Sequence, residues 1–258
     1  MVKIVTLLDN ISYKREVAAE HGLSFYIETE GRRTLFDTGQ SDLCIRNAQK
    51  LGIDLSKVDN VVVSHGHYDH TGGLDSFLNI NRVATVYIGK DAILPRFHKG
   101  KSVGIPQNLS IPDNRLFLTN PGNIYPLSDN LYVVSAVEDR VHYSNMNDCF
   151  NDEQYLVYRG KDGIYIVTGC SHKGIQRITD MLKERFSLPV AGVFGGIHTM
   201  EADEEGVDKI TAYFNSIKPL FLGLNHCTGI EAYFRIKSEV NAKVIYMSTG
   251  NVFEDKSN

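Results

Sequence analysis

The first part of the chain shows an apolar strand, an alternating hairpin, an amphipathic helix and a second apolar strand. These elements cover residues 2–8, 24–37, 41–51 and 58–63. The hairpin is indicated by two segments in which polar and apolar side chains alternate around a glutamate-glycine pair. The helix is indicated by apolar residues that recur on one face.

The second part of the chain repeats this order and then alternates strands with helices. An alternating hairpin is predicted at 154–168 and a helix at 175–186. The remaining predicted elements are strands at 190–194, 220–224 and 243–247, and helices near 201–217 and 230–240. Strands that alternate with helices favour parallel pairing in an α/β protein.

A short internal repeat links the two parts. Residues 37–41 read DTGQS after the first hairpin, and residues 167–171 read VTGCS after the second. Each part therefore has the order hairpin, Thr-Gly turn, helix and strand. Two such halves can pack sheet against sheet with their helices outside, so we predict an α/β fold, a four-layer αββα sandwich, in one domain over residues 1–258.

Residues 95–130 do not follow this pattern. The segment is rich in proline, shows little periodicity and is longer than an ordinary connection. Two interpretations stay open at this point. The segment is either an insertion that covers or lines the active site, or a surface excursion without a role.

Composition and charge are those of an ordinary globular protein. The 258 residues are 42% hydrophobic and 22% charged, with a formal net charge of −4. We therefore expect neither nucleic acid nor an anionic membrane as a partner. No apolar run reaches the length of a membrane span, and the first residues lack the features of a secretion signal. The four cysteines form no CxxC pair, so we expect a cytoplasmic protein.

The strongest chemical signal is the stretch SHGHYDHTGGL at residues 64–74, directly after the second apolar strand. Imidazole and carboxylate groups are usual ligands of zinc, manganese and iron. His65 and His67 are two positions apart, so extended backbone points both to one side. Asp69 and His70 follow where the chain leaves the strand. This spacing predicts two adjacent metal ions, one bound by the first pair of residues and one by the second.

Four ligands do not fill two metal sites, and three histidines in the second part end predicted strands. These are His172, His198 and His226. Ligands at the carboxyl ends of neighbouring strands converge at one edge of a sheet. His226 and His172 are the stronger candidates. For His198, metal ligation and a hydrogen-bonded or substrate-facing position are both open.

Other residues near these motifs are open to more than one interpretation. Cys170 suits a metal-bound thiolate and equally an ordinary buried cysteine. Gly72 and Gly73 are expected to allow a tight turn into a helix. The three other histidines are expected on the surface or in loops: His21, His98 and His142. His98 lies in the insertion and could also face substrate.

The HxHxDH motif formed by His65, His67, Asp69 and His70 resembles the signature of the metallo-β-lactamase superfamily, and the similarity extends over nearly the whole chain. That superfamily has the αββα fold, in agreement with the internal repeat. The closer resemblance is to the branch named for 7,8-dihydropterin-6-methyl-4-(β-D-ribofuranosyl)aminobenzene-5′-phosphate synthase. The shared signatures are SHGHYDHTGGL, TGCSHKGI, GGIH and NHCTG. Many members of this branch are described only as metal-dependent hydrolases.

The resemblance implies roles for particular residues. Asp37, in the stretch LFDTG, would support the metal loop. His226 would be the last metal histidine, and His172 would take the role of the third. Cys170 stands where most members have a bridging aspartate. Whether two ions bind at once, and whether a thiolate, a water or nothing bridges them, therefore stays open.

Three functions are compatible with these residues. The first is hydrolysis of a small phosphorus ester or related ester through a metal-bound hydroxide, with Asp69 and His67 as catalytic residues. The second is a transferase that condenses a dihydropterin pyrophosphate with a ribofuranosyl-aminobenzene phosphate and releases pyrophosphate. The third is a non-catalytic, metal-dependent binding protein.

The expected cofactor is a pair of divalent metal ions, with zinc favoured and manganese or iron as alternatives. The expected partner is a small, phosphorylated molecule. Basic residues of the insertion could contact its phosphate groups, although a solvated basic loop would show the same composition. These residues are Arg96, His98, Lys99 and Lys101.

Overall fold

The computed structural model describes residues 1–107, 109–138 and 148–255. The strands are β1 (Val2–Leu8), β2 (Ser24–Thr29), β3 (Arg32–Phe36), β4 (Asn60–Val62), β5 (Thr85–Gly89), β6 (Phe97–His98), β7 (Lys101–Ser102), β8 (Leu116–Thr119), β9 (Ile124–Pro126), β10 (Leu131–Ser135), β11 (Gln154–Gly160), β12 (Gly163–Val167), β13 (Val190–Gly195), β14 (Phe221–Leu224), β15 (Lys243–Tyr246) and β16 (Val252–Asp255). The α-helices are α1 (Leu43–Lys50), α2 (Tyr68–Thr71), α3 (Leu74–Ile80), α4 (Ile175–Phe186), α5 (Glu204–Ile217) and α6 (Ile230–Glu239).

These strands form two mixed seven-stranded sheets and one separate hairpin, β6–β7. The first sheet has the order β16-β1-β2-β3-β4-β5-β8, antiparallel up to β3 and parallel beyond it. The second has the order β15-β14-β13-β12-β11-β10-β9, antiparallel from β9 to β12 and parallel beyond it. Each sheet therefore changes direction at the second strand of its hairpin, where the repeated Thr-Gly turn occurs.

The central strands of each sheet are buried on both faces, and this explains why several of them are apolar without interruption. In β1, Ile4 packs between the sheets with Val133 of β10. Its neighbour Val5 packs on the opposite face with Ile45 of α1. On the outer face of the second sheet, Ile166 packs with helix α4 and its neighbours. The predicted four-layer αββα sandwich is confirmed.

The predicted helices and strands are present, and their ends differ by a few residues. Helix α5 begins at Glu204 rather than near residue 201, because Asp203 is its N-cap. The Asp203 carboxylate accepts a hydrogen bond from the Gly206 backbone N–H at 2.9 Å, which satisfies one of the unpaired donors of the first turn. In the part of the chain that is described, no helix is long and apolar enough to cross a membrane.

The segment at 95–130 contributes to both sheets. Strand β8 extends the parallel edge of the first sheet, and β9 extends the antiparallel edge of the second. Between β5 and β8 the chain forms the β6–β7 hairpin, whose turn is Lys99 and Gly100 at positive φ values of 48° and 77°. A site-covering role of this segment remains a prediction.

Gly72 and Gly73 serve a purpose different from the predicted tight turn. Their φ values are −64° and −82°, which any residue adopts. A Cβ atom at Gly72 would lie 2.2 Å from the Gln40 carbonyl oxygen, and one at Gly73 would lie 2.3 Å from that of Thr38. The glycines are needed because the chain directly after the HxHxDH motif packs against the first Thr-Gly turn.

Candidate metal centre

The carboxyl ends of three strands bring the predicted ligands together. His65 and His67 follow β4 of the first sheet, and Asp69 and His70 lie on the single turn α2. Three further candidates come from the second sheet, after β12 and β14: Cys170, His172 and His226. The predicted convergence of strand ends is therefore present in the structure.

Three imidazoles form the first ligand group, which we call the imidazole group: His65, His67 and His172. His65 Nε2 lies 3.0 Å from His67 Nδ1 and 3.3 Å from His172 Nε2. All three side chains are buried. Burial lowers the pKa of His67 to about 3 and holds the pKa values of His65 and His172 well below their usual range. The rings are therefore neutral and keep a lone pair for a cation.

A second group, the carboxylate group, surrounds Asp69. The Asp69 Oδ2 atom lies 3.1 Å from His21 Nε2, 3.4 Å from His226 Nε2 and 3.6 Å from His70 Nε2. Burial opposes ionisation of Asp69, but the surrounding imidazoles outweigh it and hold its pKa well below the usual range. Asp69 is therefore ionised at neutral pH.

Cys170 lies between the two groups. Its Sγ atom is 3.2 Å from His70 Nε2, and it could share a metal ion with His65 and His70 or with His226 and Cys227. Burial raises the pKa of the Cys170 thiol well above its usual range. A thiolate at this position therefore requires a cation beside it.

The outer nitrogens of the histidine rings show that the donor set fits a divalent metal ion. His70 Nδ1 donates to Asp37 Oδ2 at 2.7 Å, and His226 Nδ1 donates to Asn10 Oδ1 at 3.0 Å. His65 Nδ1 is paired with the Ser64 hydroxyl at 2.8 Å. In these three histidines Nδ1 is occupied and Nε2 faces the centre, as in metal-binding histidines whose outer nitrogen is hydrogen-bonded.

Two buried carboxylates fix the backbone of the HxHxDH loop. Asp37 Oδ1 accepts the Ser64 N–H at 2.6 Å, and Asp152 Oδ2 accepts the Gly66 N–H at 2.7 Å. The other Asp152 oxygen accepts a hydrogen bond from the Arg96 guanidinium at 2.6 Å. The position of Asp37 agrees with the supporting role that the family resemblance implies.

Two further buried carboxylates fix the loops of the second sheet. Asp9 Oδ1 accepts the His226 N–H at 2.8 Å, and Glu153 Oε1 accepts the His172 N–H at 2.7 Å. Burial raises the pKa of Asp9 to about 6 and that of Glu153 to about 7. Sequence reasoning missed Asp9, Asp152 and Glu153. Asp9 directly follows β1, and Asp152 and Glu153 directly precede β11, so their signal was an acidic residue next to an apolar strand.

A cavity of about 260 Å³ opens beside both groups. Its lining residues are His21, His67, Tyr68, Asp69, His98, Val103, Cys170, His172, His198, Glu201, His226 and Cys227. The His198 ring lies 4.5 Å from the His172 ring, measured between centroids. His198 thus faces the cavity, and its nitrogens belong to none of the ligand clusters found among the described residues.

The basic residues of the insertion are placed unequally around this cavity. Only His98 lines it. Lys99 is exposed in the turn of the β6–β7 hairpin, and Lys101 is exposed at the start of β7. The Arg96 guanidinium is buried and forms ion pairs with Asp148 and Asp152, both at 2.6 Å, and Arg96 does not line this cavity. A substrate contact of Lys99 stays a prediction.

His21 is the principal residue of the centre that sequence reasoning missed. It was expected at the surface or in a loop, and its side chain is indeed 51% exposed. Nevertheless it contacts Asp69, which lies 48 positions further along the chain. The sequence around His21 contains no strand-end or spacing signal that indicates this contact. His142 lies outside the described residues.

Comparisons with known proteins find the same fold in other proteins. Residues 18–129 match the family model for the metallo-β-lactamase superfamily. The crystal structure of Tm1679, described as a metal-dependent hydrolase of the β-lactamase superfamily, is similar to the chain with a TM-score of 0.85 and 29% identity, over 99% of both chains. The metallo-β-lactamase fold protein YhfI from Bacillus subtilis shares the fold with a TM-score of 0.63 and 13% identity, over 98% of this chain and 99% of that one.

Two proteins from Methanocaldococcus jannaschii are similar in sequence. The uncharacterized protein MJ0448 is 28% identical over 98% of this chain and 99% of its own length. The 7,8-dihydropterin-6-methyl-4-(β-D-ribofuranosyl)-aminobenzene-5′-phosphate synthase is 26% identical over 90% of this chain and 89% of its own length. The chain therefore has the metallo-β-lactamase fold and is similar to members of that superfamily. It carries the histidine, cysteine and aspartate clusters that are typical of metal sites in that superfamily.

Proposed function

We propose that the protein is a metal-dependent hydrolase that acts on a small phosphorus ester or a related ester. The observation that supports this most directly is the convergence of the imidazole group and the carboxylate group beside one cavity. The similarity to Tm1679, described as a metal-dependent hydrolase, supports the same reaction class.

Two divalent metal ions are the proposed cofactors, one held by the imidazole group and one by Asp69, His70 and His226. Nitrogen donors together with the Cys170 thiol favour zinc, while iron and manganese remain alternatives. When bound, such ions lower the pKa of water to near 7 and polarise a phosphoryl or carbonyl oxygen.

The residues of the chain itself orient these components. Asp69 stays ionised because its pKa lies well below the usual range, so its charge is available to the centre at neutral pH. His67 and Asp69 of the HxHxDH motif line the cavity, and so do His98 and His198. The last two are placed to contact the substrate. The size of the cavity suits a small, phosphorylated molecule, and we propose neither nucleic acid nor membrane as a partner.

The proposed hydrolysis can be tested by isotope labelling. The zinc-loaded protein is incubated with bis(4-nitrophenyl) phosphate and with 4-nitrophenyl acetate in water enriched in oxygen-18. We expect label in the phosphate or acetate product and loss of turnover in His67→Ala. Product without the label, or turnover that persists unchanged in His67→Ala, would contradict a metal-dependent hydrolase.

A pterin-related synthase is the second candidate, because 90% of this chain is similar to a protein of that name. The proposed transfer joins a dihydropterin pyrophosphate to a ribofuranosyl-aminobenzene phosphate, and pyrophosphate departs. Pyrophosphate release that requires the second substrate would favour this reaction. Incorporation of labelled water without that substrate would favour hydrolysis.

A further inference from the structure

His21 lies within the carboxylate group although it comes from a connecting segment before β2. We propose that His21 is a fourth protein ligand of the second metal position, in addition to Asp69, His70 and His226. This inference rests on the proposed metal centre and extends it by a residue that the HxHxDH and strand-end signatures do not include.

The first argument is the convergence of identical atoms on one oxygen. The Nε2 atoms of His21, His226 and His70 all lie between 3.1 and 3.6 Å from Asp69 Oδ2. His21 is the nearest of the three. A ring nitrogen of His21 also lies within 4.8 Å of a ring nitrogen of His226 and of an Asp69 carboxylate oxygen. This is the arrangement of donors that can close around one cation.

The second argument is the rigid attachment of the His21 segment to the metal loop. The Gly22 N–H donates to Asn10 Oδ1 at 3.1 Å, and the Leu23 N–H donates to the Asp69 carbonyl oxygen at 3.2 Å. A Cβ atom on Gly22 would lie 2.6 Å from that same carbonyl oxygen. The backbone beside His21 therefore packs against Asp69 with no space for a side chain.

Asn10 connects His21 with another predicted ligand. Its Oδ1 atom accepts the Gly22 N–H at 3.1 Å and the His226 Nδ1–H at 3.0 Å. One amide oxygen thus positions the segment that carries His21 and the ring of His226. The two rings lie 5.3 Å apart between centroids.

The exposure of His21 gives the proposed ligand a particular place in the centre. Its side chain is 51% exposed, whereas those of His70 and His226 are almost completely buried. His21 lines the cavity together with Asp69. The fourth ligand would therefore lie on the side of the second metal position that faces the substrate.

An alternative role for His21 is to donate a hydrogen bond that orients Asp69. Two substitutions separate the roles. In His21→Gln the amide group still donates a hydrogen bond but is a poor metal ligand. In His21→Glu the carboxylate is a metal ligand but does not donate at neutral pH. Because His21 is half exposed, neither change should prevent folding.

Metal binding gives a readout that is independent of the substrate. Metal-free wild-type protein and variants are titrated with Zn²⁺ and with Co²⁺ against a competing chelator, and the cobalt absorption spectrum is recorded. We expect His21→Ala and His21→Gln to weaken the second ion by more than the roughly 10- to 100-fold that loss of an outer hydrogen bond costs. His21→Glu should recover most of that loss, and the first ion should be unaffected.

His98→Ala is the matched control, since His98 also lines the cavity but lies in no ligand cluster among the described residues. It should bind both ions like the wild type. Unchanged binding of the second ion in His21→Ala, or full recovery in His21→Gln without recovery in His21→Glu, would overturn the assignment. If the His21 assignment fails but the wild type still binds two ions, the proposed metal centre stays intact. Failure of the assignment can therefore be distinguished from failure of the metal centre.

Discussion

The two ligand groups differ in charge and in access to solvent. The imidazole group consists of three buried, neutral rings. The carboxylate group contains an ionised aspartate and includes the half-exposed His21. The comparison indicates that the two groups have different roles within one centre. The imidazole group offers a preformed set of lone pairs away from solvent, and the carboxylate group offers negative charge at the cavity.

The largest effect on this comparison is expected from His67→Ala. The change removes one of three donors in the imidazole group and leaves the carboxylate group intact. We expect activity to fall to background and the protein to lose one of the two proposed ions, because two nitrogen donors do not replace three. Elemental analysis and the ester assay measure both results. Full activity at unchanged metal content would overturn the assignment of this group.

The pH dependence of the metal-free protein gives the next largest effect. Burial lowers the pKa of His67 to about 3 and that of His226 to about 4, from the usual 6.5. Between pH 6.5 and about 4 the unfolded chain therefore takes up protons at these positions that the folded protein does not. Stability should fall with decreasing pH in this range, by on the order of a few kcal/mol.

Thermal unfolding at several pH values in the presence of a chelator measures this dependence. His67→Gln should reduce the slope below pH 6.5, because the substituted amide does not titrate. The contribution of His70 to the pH dependence of stability has the opposite sign. Burial lowers its pKa, but the Asp69 and Asp37 carboxylates outweigh this and raise it to about 9, so its contribution is lost as the pH rises towards 9. An unchanged slope in His67→Gln would contradict a buried, neutral ring in the imidazole group.

Substitutions of the buried carboxylates are expected to have smaller effects, each on one of the two groups. Asp152→Asn changes the acceptor that holds the Gly66 N–H beside the imidazole group. Asp9→Asn changes the acceptor that holds the His226 N–H in the carboxylate group. Each should weaken one ion by roughly 10- to 100-fold, the first variant at the imidazole group and the second at the carboxylate group. Chelator competition measures both constants, and equal losses at both positions would show that the groups are not separate.

The layers of the fold and part of this centre could be predicted from the sequence, because local patterns carry that information. The Thr-Gly repeat and the apolar strands predicted the four layers, and HxHxDH predicted a cluster at a strand end. His21 and Asp152 could not be predicted in the same way. His21 reaches Asp69 through a connecting segment, and Asp152 reaches Gly66 across 86 positions. The first contact depends on the path of the loop between β1 and β2, and the second depends on how the two sheets pack.

Cys170→Ser tests the residue that lies between the two groups. The substitution keeps a small polar side chain and removes a strong sulfur ligand. We expect a change in metal stoichiometry and loss of the near-ultraviolet absorption of a cobalt–thiolate bond. Unaltered stoichiometry and spectrum would show that Cys170 only packs between the groups.

The most direct test of the account is the metal content of the wild-type protein together with a structure of the metal-loaded state. We predict two divalent ions per chain, one beside His65, His67 and His172 and the other beside Asp69, His70 and His226. A stoichiometry near zero after purification and reloading with zinc, or ions bound away from these residues, would contradict the metal centre and the function proposed from it.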